Sequence, residues 1–199
     1  MARPRADSGE APARERLLGA FWELFRGKRL EEITVGQVCR RARVTRSTFY
    51  RHFANLDEVL EEVEEAAIPR EAPASIVAAV TAGQHVLDAA AGLLAQNADR
   101  LDRLCVFLAA DGDPRFARKL KDAMLASFAA DLGLDPARLP PRIRLRVEFV
   151  LSGFAGVLAY HRDTSLPGRP ADTMSAVVPL VAQHILPVML ADLRGAGAD

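Results

Sequence analysis

The sequence predicts an all-α protein of about nine helices, and two observations support this fold class. Apolar residues recur three and four positions apart along most of the 199-residue chain, which is the periodicity of a helix with one buried face. Glycine, proline and capping residues stand between these stretches, where helices begin and end. Half of the residues are hydrophobic, so the chain can bury a substantial core in one or two domains.

The first predicted elements are an arm and a helix. Residues 1–12 contain Arg3 and Arg5 together with one glycine and two prolines, so we expect a flexible basic arm. A helix is predicted from Ala13 to about Gly27, because its apolar residues share one face. These residues are Leu17, Leu18, Phe21, Leu24 and Phe25.

Two short helices joined by a turn are predicted next. Thr34 and Gln37 form a Thr-x-x-Gln capping box that starts the second helix. Arg43 lies in the turn, and Thr45 is a good N-cap for a third helix that runs to about Phe53. We expect Phe49 and Phe53, four residues apart, to face the core. This pattern predicts a helix-turn-helix, whose second helix enters the major groove of DNA.

The polar residues of the third helix suit contact with DNA. Thr45 adds a hydroxyl to a helix N-terminus, which binds phosphate. Arg46 could reach guanine O6 and N7, and Ser47 could bond a base edge. The flanking phosphates are expected to be contacted by Tyr50, Arg51 and His52. The alternative is an exposed amphipathic helix with ordinary polar residues.

The charge distribution also favours a DNA-binding head, although the net charge of the chain is zero. Residues 1–54 contain twelve Lys and Arg against six Asp and Glu. Residues 55–71 contain seven acids and one Arg, and the rest of the chain is balanced. A basic first quarter beside a neutral body predicts a charged reading head. A solvated surface with clustered charges remains the alternative.

Residues 14–60 resemble the DNA-binding domain of the TetR/AcrR family of transcriptional regulators. The resemblance lies in Arg14-Glu-Arg-Leu-Leu, Thr34-Val-x-x-Val, Val44-Thr-Arg-Ser-Thr-Phe-Tyr-Arg-His-Phe and Asp57-Glu-Val-Leu60. It implies an all-helical homodimer that binds a palindromic operator, usually as a repressor released by a small ligand. The DNA-binding positions predicted in this way, together with the turn residue Arg43, are Thr34, Thr45, Arg46, Ser47, Thr48, Tyr50, Arg51 and His52.

Three positions depart from the family pattern. Arg43 replaces the usual turn glycine, so the turn must tolerate a side chain. Arg29 stands where a glycine is common after the first helix. Leu56 replaces a lysine that often contacts phosphate, which removes one expected backbone contact.

The rest of the chain predicts an acidic helix followed by a helical body. The domain boundaries expected are 1–12 for the arm, 13–60 for the helix-turn-helix domain and 61–199 for a helical effector-binding and dimerisation domain. The helices expected after the third are 55–67, 75–97, 98–110, 115–132, 142–162 and 172–193, the last kinked by Pro179 and Pro187. The two long apolar helices at 142–162 and 172–193 suit a dimeric four-helix bundle. The alternative is a monomer that buries both in its own core.

A small-molecule pocket is plausible within residues 75–162. An apolar pocket with a few polar groups is the usual form, and the candidates lack a dominant charge, so an uncharged or hydrophobic effector is expected. The weak candidates are His85, Phe107, Phe116, Met124, Phe128, Phe149, Phe154, Tyr160 and His161. Each could instead be an ordinary core residue.

Other function classes find little support in the sequence. There is no phosphate-binding glycine loop, nucleophile elbow or His-Glu-x-x-His motif, so we expect no catalytic residues, metal site or cofactor. No apolar run suggests a membrane span, and the N-terminus does not resemble a secretory signal. Cys39 and Cys105 fit reduced core residues of a cytoplasmic protein. The remaining alternative is a helical small-molecule carrier or enzyme with a vestigial DNA-reading head.

Overall fold

The computed structural model describes residues 10–82 and 85–196, and every regular element within these ranges is a helix. This confirms the predicted all-α fold class. Most of the predicted arm lies outside the described residues, and residues 10–12 belong to the first helix. The chain divides between Ala66 and Ala67 into two compact units, whereas the sequence suggested a boundary after residue 60.

Unit 1 contains the predicted helix-turn-helix. Its elements are α1 (Glu10–Phe25), a 3₁₀ turn (Leu30–Glu32), α2 (Val35–Ala42), α3 (Arg46–His52) and α4 (Leu56–Ala67), whose last residue begins unit 2. Helix α1 packs against α2 and α3. Phe49 and Phe53 are both buried, as predicted, and their ring centroids are 5.9 Å apart. The other large side chains of this core include Leu17, Phe21, Phe25, Ile33, Val38, Val59 and Leu60.

Capping bonds define where these helices begin. The Thr34 hydroxyl accepts from Gln37 N (3.3 Å), and Gln37 Oε1 accepts from Thr34 N (2.9 Å), which completes the predicted capping box. Thr45 caps α3 by accepting from Thr48 N at 3.2 Å. Asn55 Oδ1 accepts from Glu58 N in the same way before α4. Short-range signals in the sequence therefore set the boundaries of this unit.

Unit 2 is a helical body built around its longest helix. Its elements are α5 (Ala72–Thr81), α6 (Val86–Gln96), α7 (Ala98–Leu108), α8 (Phe116–Asp131), α9 (Pro141–Asp163), α10 (Pro170–Leu180), a π-helical segment (Val181–Ile185) and α11 (Leu186–Ala196). Helix α9 contacts α7, α8, α10 and α11. One part of the core lies where α8, α9 and α11 meet, and contains Phe128, Ala129, Ile143, Val147 and Met189.

The predicted single helix over 75–97 is wrong, because the structure has two helices there. The backbone leaves helical geometry at His85 (φ −67°, ψ 119°), which precedes α6. Helices α5 and α6 pack against each other. The apolar residues of α5 and of α6 each follow helical spacing, and this spacing alone does not predict where one helix ends and the next begins.

The last predicted helix is interrupted between its two prolines. A π-helical segment separates α10 from α11, and Leu186 N donates to Val181 O, five residues earlier. Proline lacks an amide hydrogen and its ring crowds the preceding turn, so a regular hydrogen-bond ladder cannot pass Pro179 and Pro187 unchanged.

Candidate functional site

Helix α3 displays the predicted DNA-binding side chains on the surface of unit 1. Tyr50 is 58% exposed, although the adjacent Phe49 is completely buried. Exposed positions on α3 and its cap are Thr45, Arg46, Ser47, Tyr50 and Arg51, while Thr48 and His52 are half-buried. Thr34 and Arg43, at the start and end of α2, are also exposed. The buried phenylalanine fixes the helix while its polar side chains face solvent.

The Thr45 hydroxyl is fully used inside the protein. It accepts from Thr48 N, and its oxygen lies 2.8 Å from Ser47 Oγ and 2.9 Å from Thr48 Oγ1. A hydroxyl donates one hydrogen bond and accepts two, so these three contacts saturate it. The phosphate contact expected of Thr45 would have to displace one of them. Its geometry favours a role in holding the first turn of α3.

The turn between α2 and α3 places Arg43 in the left-handed region (φ 55°, ψ 47°). Its amide donates to Arg40 O at 3.3 Å, and Val44 N donates to Cys39 O at 3.0 Å. This is the helix ending that usually takes glycine, because a Cβ in the left-handed conformation costs about 1–2 kcal/mol. Arg43 therefore adopts a strained backbone conformation in this turn.

Replacing Arg43 with glycine is expected to raise the free energy of unfolding by roughly 0.5–1 kcal/mol, because relief of the strain exceeds the added entropy of the unfolded chain. Chemical denaturation measures this change. Arg43→Ala is the matched control, since it removes the same charge but keeps the Cβ. Equal stability of the two variants would show that the left-handed conformation is not strained.

Two other predicted DNA contacts have unexpected positions. The Nε2 atom of His52 is buried and has no hydrogen-bond partner within the described part of the chain. The Arg46 guanidinium lies beside Gly36 of α2. Burial raises the pKa of the Cys39 thiol, while the positive charge of Arg46 acts in the opposite direction. Arg46 is therefore turned toward α2.

An apolar cavity of about 250 Å³ lies within unit 2. Residues from α5 to α11 and from the segment before α5 line it. Among its described lining residues, Asn97 alone has a polar side chain. The Asn97 amide donates to Leu93 O at 3.0 Å and accepts from Arg100 at 3.2 Å. The cavity thus offers a large apolar wall with one amide at its edge.

The predicted ligand-binding residues separate into three groups. Met124, Phe128 and Phe154 line the cavity. Three others are buried elsewhere: Phe107 and Phe116 form an aromatic pair 4.7 Å apart, and His161 Nδ1 lies 2.8 Å from Thr173 Oγ1. The remaining three are exposed, namely His85, Phe149 and Tyr160. These last six do not line the cavity.

Several cavity-lining residues lie outside the predicted set, in the last two helices, in α5 and in the segment before it. They include Pro69, Ile76, Met174, Val178, Leu186 and Met189. The pocket predicted from the sequence ends at residue 162, and the same prediction assigns residues 172–193 to dimerisation alone. The available signal is the run of residues 176–191, which is apolar except for Gln183 and His184 and therefore suits burial on more than one side.

Unit 2 also carries an exposed apolar surface, which we call the outer face. It comprises Leu145 (69% exposed) and Phe149 (68%) of α9 together with Leu180 and Val188 of the last two helices. In the sequence, His184 lies between Leu180 and Val188. A shallow groove on the outer face is lined by Leu145 and Phe149 of α9, by His184 and by Val188 of α11. Large apolar side chains grouped on a surface commonly mark a protein interface.

Cys39 and Cys105 are both buried free thiols. Burial, with Asp102 adding to it, raises the pKa of the Cys105 thiol to about 12, so this thiol is uncharged at neutral pH. Across residues 10–82 and 85–196, no helix is long and apolar enough to cross a membrane. The same residues contain no cluster of His, Cys, Asp and Glu that could hold a metal ion.

Comparison with known proteins identifies the N-terminal unit. Residues 17–63 match the family model described as bacterial regulatory proteins, tetR family. The match spans α2, α3 and most of α1 and α4. No curated protein matches the chain.

Proposed function

We propose, from the premise that this chain is a DNA-binding transcriptional regulator of the tetR family, that it acts as a homodimeric repressor. A small apolar ligand bound in the cavity of unit 2 would release it from a palindromic operator. The observation that carries the proposal is helix α3, which is capped by Thr45, anchored by Phe49 and polar on its solvent side. A helix held in this way can enter the major groove without losing its own packing.

The outer face of unit 2 supports the dimer. Its exposed leucine, valine and phenylalanine side chains would be covered by the same surface of a second copy, as in a two-fold symmetric interface. The chain provides one α3, and a palindromic operator requires two. Two copies of α3 would then read half-sites about one DNA turn, ~34–36 Å, apart.

The cavity supports an uncharged ligand. An ionic group placed against its wall would lose water and find only the Asn97 amide, and unpaired burial of a charge costs several kcal/mol. Its volume of about 250 Å³ suits a compact aromatic or aliphatic molecule. We therefore assign the effector to uncharged, mainly apolar compounds.

Two fluorescent probes that differ by one sulfonate test this assignment. N-phenyl-1-naphthylamine is uncharged and is expected to bind at least ~10-fold more tightly than anilinonaphthalene sulfonate. Burying the sulfonate charge costs several kcal/mol, and a difference of only ~1.4 kcal/mol in binding free energy is already a factor of ten in affinity. Fluorescence titration measures both affinities. Ala155→Phe, on the cavity wall, should weaken the uncharged probe, whereas Ala126→Phe, at an exposed position of α8, should not. Tighter binding of the sulfonate would contradict an apolar site.

Segment 69–73 is the part of the cavity wall that follows α4 most closely in the chain. Ser127 of α8 donates to Arg70 O, and Arg100 of α7 pairs with Glu71. A ligand that separates α7 from α8 would act on both of these contacts. We propose that α4 carries this change toward the helix-turn-helix unit. Such coupling is reciprocal, so bound operator must weaken ligand binding by the same factor.

Selection of bound duplexes from a random DNA pool tests the function directly. A repressor of this type should enrich a palindrome, bind it with steep salt dependence and release it when N-phenyl-1-naphthylamine fills the cavity. A carrier or enzyme with a vestigial reading head should bind the enriched pool no better than random DNA. Failure to enrich any sequence would reject the proposal in favour of that alternative.

A further inference from the structure

Two arginines from different helices meet over one glycine in unit 1. Gly36 lies in the first turn of α2 and is buried, although Arg40 and Arg46 are both exposed residues. A Cβ added to Gly36 would be 3.1 Å from Nη2 of Arg46 and 3.7 Å from Nη1 of Arg40. Arg40 follows Gly36 by four positions, so its side chain leans back over that turn. Arg46 reaches the same point from the start of α3.

Neither guanidinium is neutralised by a carboxylate within residues 10–82 and 85–196. The neighbouring Arg41, by contrast, pairs with Glu23, and Arg14 pairs with Glu62. Two positive groups held this close repel each other, and an anion between them would turn the repulsion into attraction. A phosphate suits this position, because guanidinium groups bind its oxygens with paired hydrogen bonds.

We propose that Arg40 and Arg46 together hold one phosphate of the DNA backbone over Gly36. Arg46 then positions the protein on DNA, and it replaces the guanine-reading role that the sequence suggested. Gly36 is a positioning residue, because its missing Cβ leaves the space in which the Arg46 guanidinium lies. The inference rests on the proposed DNA-binding function and adds Arg40 and Gly36 to the residues that serve it.

The salt dependence of DNA binding distinguishes a phosphate contact from a base contact. Arg46→Ala and Arg40→Ala should each weaken the selected operator and a random duplex by the same factor, roughly 3–10-fold. Because the two residues share one phosphate, the double variant should lower the slope of log K against log salt by about 0.9, where two independent contacts would lower it by about 1.8. Arg41→Ala is the matched control on the same helix, and its slope should not change. Relaxed selectivity at one base pair with an unchanged slope would overturn the proposal.

Gly36→Ala tests the positioning role separately. The new methyl group would force the Arg46 guanidinium to move by a few tenths of an ångström, so DNA affinity should fall in the parent but not in the Arg46→Ala background. Thermal unfolding should show no loss of stability, since alanine is the better helix former. An equal loss of affinity in both backgrounds would show that Gly36 acts without Arg46.

Neutral methylphosphonate linkages, placed one at a time in the selected duplex, identify the phosphate. One linkage in each half-site should weaken the parent protein and leave the Arg40→Ala, Arg46→Ala double variant unaffected. If every linkage weakens both proteins equally, the shared phosphate does not exist. If the protein selects no duplex at all, the DNA-binding function itself fails; an enriched operator with unaltered slopes rejects only the inference.

Discussion

Replacing Phe149 with arginine is expected to convert the proposed dimer into a monomer and to lower its affinity for the operator by at least ~100-fold. Phe149 is 68% exposed in the single chain and lies on the outer face beside the groove that α9 forms with α11. In a dimer, the new charge would be buried without a partner, which costs about 3–5 kcal/mol. Every ~1.4 kcal/mol corresponds to a factor of ten in affinity. Sedimentation measures the change in mass, and a DNA titration measures the affinity.

Leu134→Arg provides the matched control. Leu134 is 41% exposed, lies between α8 and α9 and does not belong to the outer face. This variant should remain dimeric and keep its affinity for the operator. At protein concentrations low enough for both variants to be monomeric, Phe149→Arg and Leu134→Arg should unfold at similar temperatures. The reason is that the Phe149 side chain is exposed within a single chain, so its replacement removes little packing. A dimeric Phe149→Arg protein would place the interface elsewhere.

Replacing Phe49 with alanine is expected to destabilise unit 1 by about 3–5 kcal/mol, through lost burial and the cavity left behind. The Phe49 ring is completely buried, and its centroid lies 5.9 Å from the centroid of the Phe53 ring. Unit 1, which ends at Ala66, is a small domain, and the total stability expected of such a domain is of the same order, so helix α3 should lose its support. Denaturant unfolding followed by far-ultraviolet circular dichroism measures the loss, and operator binding should disappear with it.

Tyr50→Ala gives the comparison within the same helix. Tyr50 is 58% exposed and should change stability by less than about 0.5 kcal/mol, as surface substitutions usually do. Its loss should nevertheless weaken operator binding if the hydroxyl contacts a phosphate. The two variants therefore separate support of the reading helix from contact with DNA. Equal loss of stability in both would contradict the burial pattern of α3.

Local signals in the sequence predicted unit 1 well, because its boundaries depend on short-range chemistry. Thr34 with Gln37 and Thr45 with Thr48 N form their capping bonds within three residues of each other. Phe49 and Phe53 share a face by helical spacing alone, and both are buried. Both the capping bonds and the helical spacing join residues that are close in the sequence. The helix-turn-helix could therefore be recognised from the chain directly.

Unit 2 was harder to predict because its site depends on how distant helices pack. Phe107 and Phe116 have the same apolar character as Phe128 and Phe154, yet only the latter pair lines the cavity. Helical spacing shows that a side chain is turned inward, but it does not distinguish a filled core from a cavity. The orientation of Arg46 toward Gly36 is a similar case, since it depends on the crossing of α2 and α3.

The π-helical segment between Pro179 and Pro187 should allow α10 and α11 to open locally and independently of each other. Each proline removes one amide donor, so the ladder of hydrogen bonds is weakened on both sides of Val181–Ile185. Cooperative opening depends on an unbroken ladder, and α10 and α11 can therefore open as separate segments. Amide hydrogens of α10 and α11 should exchange with solvent deuterium as two groups with different rates. The last two helices would then behave as two dynamic elements within one continuous apolar surface.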